Sequence, residues 1–219
     1  MAGEKLKKGD FVELEYTGKA DGHVFDTTNE ALAKKEGIFR EGVPYGQVTI
    51  CIGQAHVLQG LDEELEGKEI GSELTVKIPA EKAFGKKRAE LIRLIPKRKF
   101  DAAGINPAPG MPVTIDNSMA TIKTVSGGRV LVDFNHPLSG KDVEYTYKAL
   151  KIITDAKEKL QAVIAMELNL NKDGYELTVE NDAAKIKFKK DAQIPKEVQE
   201  ILAKRLTELT GVKNIEFQQ

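Results

Sequence analysis

Apolar and polar residues alternate along several short runs in the first part of the chain. Because side chains of a strand point alternately to its two faces, this pattern predicts strands with one buried face. The runs are residues 10–19, 23–26, 48–52 and 72–79. Asp21-Gly22 is a hairpin signal between the first two. Residues 27–35 are expected to form a helix or a bulged loop, and residues 37–46 a loop.

Directly after the predicted strand that ends at Gly53, the apolar residues recur with the period of an α-helix. One stripe is apolar and consists of Val57, Leu58, Leu61 and Leu65. The other side carries the acidic residues Asp62, Glu63, Glu64 and Glu66. Gly67 stands where a helix would end. We therefore expect a short amphipathic helix that forms the floor of an apolar pocket.

The composition changes after Gly85. Residues 86–101 hold seven basic and two acidic side chains, and five of the eight prolines lie from Pro96 to Pro137. Two strands joined by a Ser-Gly-Gly-Arg turn are predicted within residues 119–134. This segment is expected to be a small domain of its own. A long strand over residues 142–153 then continues the first block.

The last part of the chain predicts an α-β-β-α-β unit. Its helices are residues 155–168 and 195–209, and its strands are residues 175–179, 184–188 and 212–217. Residues 169–180 match the spacing of a calcium-binding loop, with Asn169 in the first position. Because the residues after Gly174 alternate as a strand does, we interpret this segment as a helix-to-strand turn.

Composition restricts the class of protein. With 219 residues, 41% hydrophobic and 31% charged, the chain is expected to form two or three globular domains. No apolar run is long enough for a bilayer, and the N-terminus lacks the pattern of a secretory signal. The single cysteine, Cys51, excludes an intramolecular disulfide and favours a cytoplasmic location and a buried core thiol. His23, His56 and His136 are too dispersed for a metal cluster.

Four segments occur together in a known order. They are YTGKADGHVFDTT, IGQAHVLQGLDEELEGKEIG, IPAEKAFG and NHPLSGK followed by a strand. In this combination the chain resembles the FKBP-type peptidyl-prolyl cis/trans isomerases over residues 1–85 and 138–153. Residues 86–137 resemble the insert-in-flap domain of the SlyD-like branch, and residues 154–219 resemble the extension of its long archaeal members. The implied fold is α+β, an antiparallel sheet wrapped on a short helix, with the two additional domains.

The resemblance implies a set of pocket residues. The catalytic set is Tyr16, Phe25, Asp26, Val57, Leu58, Leu61, Phe84 and Tyr145. Val48 and Ile50 stand at positions that are usually aromatic and are implied to bind substrate. Leu61 replaces the usual Trp floor and Phe84 a usual Tyr, so macrolide inhibitors are expected to bind weakly. The backbone N–H of Leu58 is implied to hold a substrate carbonyl, and Arg40 is a candidate partner of Asp26.

The implied activity is isomerisation of Xaa–Pro bonds in unfolded or nascent chains without a cofactor or a metal. The insert is implied to capture unfolded chain. Its candidate substrate-binding residues are Leu91, Ile95, Met111 and Met119, and Leu138, directly after the insert, is a further candidate. The alternative is that the apolar residues of the insert form only its own hydrophobic core and do not bind substrate.

Other interpretations stay open at this point. The basic run of residues 86–99 is either a solvated face or a contact for an acidic partner such as ribosomal RNA. A homodimer through the C-terminal helices is expected. The alternative function is a binding-only chaperone or a ribosome-associated adaptor whose pocket has lost catalysis.

Overall fold

The computed structural model describes residues 4–189 and 194–218. Its strands are β1 (Phe11–Ala20), β2 (His23–Thr27), β3 (Val48–Cys51), β4 (Glu73–Ile78), β5 (Ile92–Pro96), β6 (Pro112–Ile115), β7 (Ser118–Ser126), β8 (Arg129–Asp133), β9 (Val143–Ile153), β10 (Tyr175–Glu180), β11 (Ala183–Phe188) and β12 (Asn214–Gln218). Its α-helices are α1 (Glu30–Lys35), α2 (Gln59–Leu65), α3 (Lys97–Ala102), α4 (Ala156–Leu168) and α5 (Lys196–Thr210). The mixture confirms the expected α+β class.

The chain divides into two compact units. One comprises Met1–Ile78 with Val143–Gln219, and the other comprises Pro79–Asp142. The second unit is therefore inserted between β4 and β9 of the first. Ile78 and Val143, where the chain leaves and re-enters the first unit, are paired in register.

The main sheet of the first unit has five strands, and β1 is its centre. The first half of β1 pairs with β3, its second half pairs with β2, and its other edge pairs with β9, all antiparallel. On β9, Val143, Tyr145, Tyr147 and Ala149 are buried while the residues between them are partly exposed. This alternation shows that one face of the sheet packs on the core. Helix α2 lies near β4 and buries Leu61 and Leu65 completely.

The C-terminal elements of the first unit form a second, three-stranded sheet. In it β11 lies between β10, to which it is antiparallel, and β12, to which it is parallel. Helix α4 packs on β3 and on α5. As a result, Phe11 and Cys51 of the main sheet belong to the same apolar cluster as Leu160 and Val163 of α4.

The second unit is a four-stranded antiparallel sheet in the order β5-β8-β7-β6, with α3 against β5. Its buried core is Phe100, Val113, Ala120, Ile122, Val130 and Val132. Within residues 86–101 the structure has β5 and α3, which the strongly basic composition did not predict.

Two local expectations need correction. Helix α2 begins at Gln59 with Leu58 as its N-cap, so Val57 and Leu58 precede the helix. Asp62, which the period places on the solvent side, is only 6% exposed. By contrast, the helix-to-strand turn after α4 is confirmed, because Asn169 ends the helix in a left-handed conformation and β10 begins at Tyr175. In the described ranges no helix combines the length and the apolar character needed to cross a bilayer.

Candidate active site

Three neighbouring strands bring Asp26, Gly18 and Tyr145 into one row. Gly18 on β1 pairs with Asp26 on β2 and with Tyr145 on β9. A Cβ atom on Gly18 would lie 2.8 Å from Cζ of Tyr145 and 2.9 Å from Cζ of Phe25. Contacts that short do not occur between real side chains, so only glycine leaves room for both rings. Gly18 belongs to the YTG motif, but the motif alone does not reveal this role of the glycine.

Because Gly18 has no side chain, Tyr145 and Asp26 can form a hydrogen bond across it. Tyr145 Oη donates to Asp26 Oδ2 at 3.3 Å. Tyr16 Oη also hydrogen-bonds the Asp26 carboxyl group. The ring of Tyr145 meets Tyr16 and Phe25 edge to face, with centroid distances of 5.7 and 5.8 Å. The structure therefore brings together four residues of the predicted catalytic set.

Burial controls the protonation of this cluster. It raises the pKa of the Tyr16 and Tyr145 hydroxyls far above the ordinary value, with the Asp26 charge adding to the effect. Both phenols are therefore neutral donors. Burial also raises the pKa of Asp26, against the hydrogen bonds it accepts and the positive charge of Arg40. Arg40, the candidate partner from the sequence, thus acts electrostatically on Asp26.

The segment that enters α2 holds two further residues of the predicted catalytic set. Val57 and Leu58 are half-buried, and the Leu58 carbonyl accepts hydrogen bonds from the N–H groups of Leu61 and Asp62 at 2.8 and 3.0 Å. Leu61 and Ile50 are 0% exposed, whereas Val48 is half-buried. Leu61 and Ile50 therefore lie in the interior of the first unit.

The turn before this segment is fixed from two sides. Asp62 accepts hydrogen bonds from the N–H groups of Gly53 and Ala55, both at 2.9 Å, and Ala55 has a positive φ of 56°. The Cys51 N–H donates to Nδ1 of His56 at 3.1 Å. Sequence reasoning missed both anchors, because a helical period places Asp62 outside and an isolated histidine carries no motif.

Cys51 is a core thiol, as expected. Its side chain is 0% exposed, and its sulfur lies 3.6 Å from the Gly9 carbonyl, to which the thiol donates. Burial raises the thiol pKa to about 11, so it is protonated at neutral pH.

Phe84 and Leu138 belong to the second unit, where His136 joins them. The rings of Phe84 and His136 are stacked with centroids 4.5 Å apart and planes 5° apart. The Leu138 N–H donates to His136 Nδ1 at 3.2 Å, and Ser139 Oγ donates to the Phe84 carbonyl at 3.2 Å. The predicted role of His136 as a structural residue is consistent with these contacts.

The second unit exposes large apolar side chains. Met119 is 78% exposed and Leu94 54%, and Ile92 and Met111 are also exposed. Leu91 and Ile95 are partly buried. A cavity of about 420 Å³ beside them is lined mainly by apolar side chains, including Leu94, Ile95, Pro96, Phe100, Ile105 and Phe134. Val113, in contrast, is part of the core.

Several side chains of the basic run have partners nearby. Lys86 contacts Glu81 at 2.9 Å, Lys97 contacts Asp101 at 2.6 Å, and Arg93 lies 5.3 Å from the ring centre of Phe134. These local contacts favour the solvated-face interpretation. Within residues 4–189 and 194–218, no group of three or more His, Cys, Asp or Glu side chains is arranged to hold a metal ion.

Comparisons with known proteins point to one family. The family model described as FKBP-type peptidyl-prolyl cis-trans isomerase matches residues 2–100, and the one described as FKBP26, IF domain, matches residues 93–138. The chain is 37% identical over 143 residues to a short-type peptidyl-prolyl cis-trans isomerase of Methanocaldococcus jannaschii, a match that covers 65% of this chain and 91% of the relative. It is 28% identical over 164 residues to the FKBP-type peptidyl-prolyl cis-trans isomerase SlyD of Helicobacter pylori, covering 73% and 80% of the two chains. An FKBP-type 16 kDa peptidyl-prolyl cis-trans isomerase of Escherichia coli is 32% identical over 106 residues, covering 46% and 70%.

Proposed function

Because the chain belongs to the family of FKBP-type peptidyl-prolyl cis-trans isomerases, we propose that it isomerises Xaa–Pro bonds of unfolded or nascent polypeptides in the pocket around Tyr145. The observation that carries this proposal is the aromatic cluster of Tyr16, Phe25 and Tyr145 that closes around Asp26 above Gly18. The rings of this cluster offer a proline ring an apolar surface, because the two hydroxyl groups are hydrogen-bonded to the Asp26 carboxyl group.

The reaction needs no covalent step. Rotation about an amide bond is opposed by resonance, with a barrier of about 18–20 kcal/mol. The planar amide is more charge-separated than the twisted one, so removing water from it favours the twisted state. Every 1.4 kcal/mol or so gained in the transition state raises the rate about tenfold. An apolar site can therefore catalyse the rotation without a nucleophile or a metal.

Each proposed pocket residue has a role that fits its surroundings. Phe25 and Tyr145 form the walls against the proline ring, and Tyr16 supports Tyr145. Val57 and Val48 are proposed to border the pocket, and Leu61 and Ile50, which are fully buried, are proposed to fill the space behind it. The Leu58 N–H is proposed to donate a hydrogen bond to a substrate carbonyl. The negative Asp26 carboxylate is proposed to stabilise the partial positive charge on the carbonyl carbon. Phe84 replaces a usual Tyr and has no hydroxyl group to donate to a substrate carbonyl, so backbone donors alone are proposed to hold that carbonyl.

The inserted unit is proposed to act as a chaperone that captures unfolded chain. The exposed side chains of Leu94 and Met119 and the apolar cavity nearby support this role. Leu91, Ile95, Met111 and Leu138 are the further residues proposed to contact substrate. Methionine adapts to many shapes, which suits a surface that binds varied sequences.

We also propose three functional domains: the isomerase domain of residues 1–85 and 138–153, the chaperone insert of residues 86–137, and the C-terminal domain of residues 154–219. A homodimer through the C-terminal domain is supported by Ile201 on α5, which is 70% exposed. Ribosome contact would use the basic run, and the ion pairs there make it the weaker of the two proposals.

The test is the refolding of a protein whose slow phase is limited by an Xaa–Pro bond. The full chain, a chain in which a short turn replaces residues 86–137, and a Phe25→Ala/Tyr145→Ala variant are compared. We expect the first to accelerate the slow phase strongly, the second to do so weakly, and the third not at all. If the full chain suppresses aggregation but leaves the slow phase unchanged, the binding-only function is correct and catalysis is excluded.

A further inference from the structure

The loop between β3 and α2 is anchored next to the C-terminal helices. This loop, residues 52–58, leads from β3 to Val57 and Leu58 of the proposed pocket. Helix α4 packs on β3, and Cys51 at the end of β3 lies in one apolar cluster with α4 and α5. A loop residue whose position depends on α4 and α5 would couple these two helices to the pocket.

His56 is that residue. Its Nδ1 accepts the hydrogen bond from the Cys51 N–H at 3.1 Å, so the neutral ring carries its proton on Nε2. Nε2 is buried and makes no hydrogen bond to the residues that the structure describes. His56 directly precedes Val57 and Leu58 in the chain. The position of its ring therefore fixes where the pocket segment starts.

The charged groups that act on His56 come from three helices. They are Glu167 on α4, Arg205 on α5 and Asp62 on α2. Nε of Arg205 donates to Glu167 Oε1 at 3.0 Å, which holds the two C-terminal side chains in one place. Burial lowers the pKa of His56, Glu167 and Asp62 oppose this effect, and Arg205 adds to it. At neutral pH the ring is uncharged, as its hydrogen bond from Cys51 requires.

We propose that His56 is a positioning residue for the isomerase reaction, through which α4 and α5 fix the Val57–Leu58 segment of the pocket. This proposal rests on the proposed function, because it assumes that this segment receives the substrate. No catalytic role is assigned to the imidazole itself.

Protonation of His56 would break the anchor. A proton on Nδ1 would face the donor N–H of Cys51, and two donors cannot hydrogen-bond each other. The loop would then have to move and carry Leu58 with it. Since the folded protein holds the neutral form below the ordinary pKa of 6.5, this loss occurs as the pH falls through the lowered value. Activity should therefore decrease on the acid side while the fold persists.

The first test compares two substitutions in the full-length protein. His56→Ala removes the acceptor, whereas His56→Asn places an amide oxygen near the position of Nδ1 and cannot be protonated. At pH 7.5 we expect kcat/KM for a proline peptide to fall roughly three- to tenfold in His56→Ala, the effect of one lost hydrogen bond, and to recover in His56→Asn. His23→Asn, an exposed histidine on β2, serves as the matched control and should not change kcat/KM.

The second test uses charges on other helices. Arg205→Gln should raise the His56 pKa and move the acid limb of kcat/KM to higher pH, and Glu167→Gln should move it to lower pH. The imidazole signals of the three histidines are followed by NMR, together with the Cys51 and Leu58 amides. This separates His56 from Asp26, whose carboxyl group also titrates, because the His56→Asn protein retains only the Asp26 limb.

The outcomes are distinct. Rescue by asparagine together with opposite shifts from Arg205→Gln and Glu167→Gln supports the proposal. Normal kcat/KM in a folded His56→Ala protein overturns it, as does a Leu58 amide that does not respond when His56 titrates. If the unmodified protein does not isomerise the peptide at pH 7.5, the proposed function fails instead, and the NMR titration still decides whether His56 anchors the loop.

Discussion

At the scale of single residues, the site depends on Gly18, because this residue has no side chain. Adjacent strands lie about 4.8 Å apart, so β2 and β9 are separated by the full width of β1. Tyr145 can reach Asp26 only because Gly18 leaves the space between them empty. The pair then places a half-buried carboxyl group among aromatic rings.

Gly18→Ala should therefore disable the site. The added Cβ atom has contacts of 2.8–2.9 Å with Tyr145 and Phe25, so both rings must shift. Such overpacking typically costs about 1–3 kcal/mol of stability, and displaced pocket walls should lower kcat/KM at least about tenfold. Peptide isomerisation and thermal unfolding measure the two effects. Lys19→Ala, on the exposed side of the same strand, is the control; an active Gly18→Ala protein would show that the Tyr145 ring position is unimportant.

Asp26→Asn should make the protein more stable and less active. Burial raises the Asp26 pKa, so the folded state binds the proton more tightly than the unfolded state, and stability is lost as the pH rises through the raised value. Asparagine keeps an acceptor for Tyr145 but has no charge to bury. At pH 7 we expect Tm to rise, by about 2–4 °C for each kcal/mol gained in a chain of this size.

The pH dependence checks the cause of this gain. The difference in Tm should vanish near pH 3, where aspartate is protonated in both states. Loss of the carboxylate should lower kcat/KM about tenfold at pH 7, corresponding to about 1.4 kcal/mol in the transition state. A lower Tm at pH 7 would mean that the hydrogen bonds and Arg40 outweigh burial.

The sequence predicted the residues of this cluster but not its contacts. Motif order identified Tyr16, Phe25, Asp26 and Tyr145, which the structure brings together. The bond between Asp26 and Tyr145 spans 119 positions, and no local pattern records so distant a contact. Asp62 was placed on the wrong side for a related reason: a periodic pattern registers polarity, whereas a buried carboxylate is retained by backbone donors.

At the scale of elements, the strands of the inserted unit present apolar side chains on both faces. Alternate residues of β7 and β8, such as Ile122, Val130 and Val132, form the core. Leu94 on β5 and Met119 on β7 remain exposed. The hydrophobic pattern predicted β7 and β8, but in β5 and α3 basic residues interrupt the apolar ones, so composition concealed these two elements.

Leu94→Ser with Met119→Ser should separate capture from catalysis. Burial of each such side chain against a client contributes about 1.5–3 kcal/mol, so affinity for an unfolded protein should fall at least about tenfold. Isomerisation of a short proline peptide should not change, because neither residue belongs to the pocket. Binding is measured by fluorescence anisotropy of a labelled unfolded protein.

The matched control for this variant carries Val43→Ser and Met166→Ser. These residues are 46% and 36% exposed and lie outside the insert. An equal loss of affinity in the control would assign capture to exposed apolar residues in general, and unchanged affinity in the Leu94/Met119 variant would remove the insert from the proposal.

At the scale of the whole molecule, the C-terminal segment completes the core of the main sheet. Phe11, Cys51 and Ile153 are buried in one cluster with α4, α5 and the second sheet. The sequence predicted the order of the C-terminal elements correctly, because their apolar residues are periodic. It could not predict the shared core, because apolar residues on a strand do not show which element covers them.

Deletion of residues 155–219 should therefore expose part of the main sheet. Phe11 and Cys51, now 1% and 0% exposed, would lose their cover. We expect Tm of the shortened chain to fall by about 5 °C or more, since exposing one Phe side chain alone costs about 1.5–3 kcal/mol.

Cys51 reports the same change chemically, because it is the single cysteine of the chain. Its pKa is raised to about 11 by burial, and release to an ordinary value near 8.5 should accelerate its reaction with a disulfide reagent at pH 8 on the order of a hundredfold. The rate in the unfolded protein gives the upper limit for comparison. Unchanged thiol reactivity in a folded, shortened chain would mean that the C-terminal segment is a tethered domain and that the main sheet is complete without it.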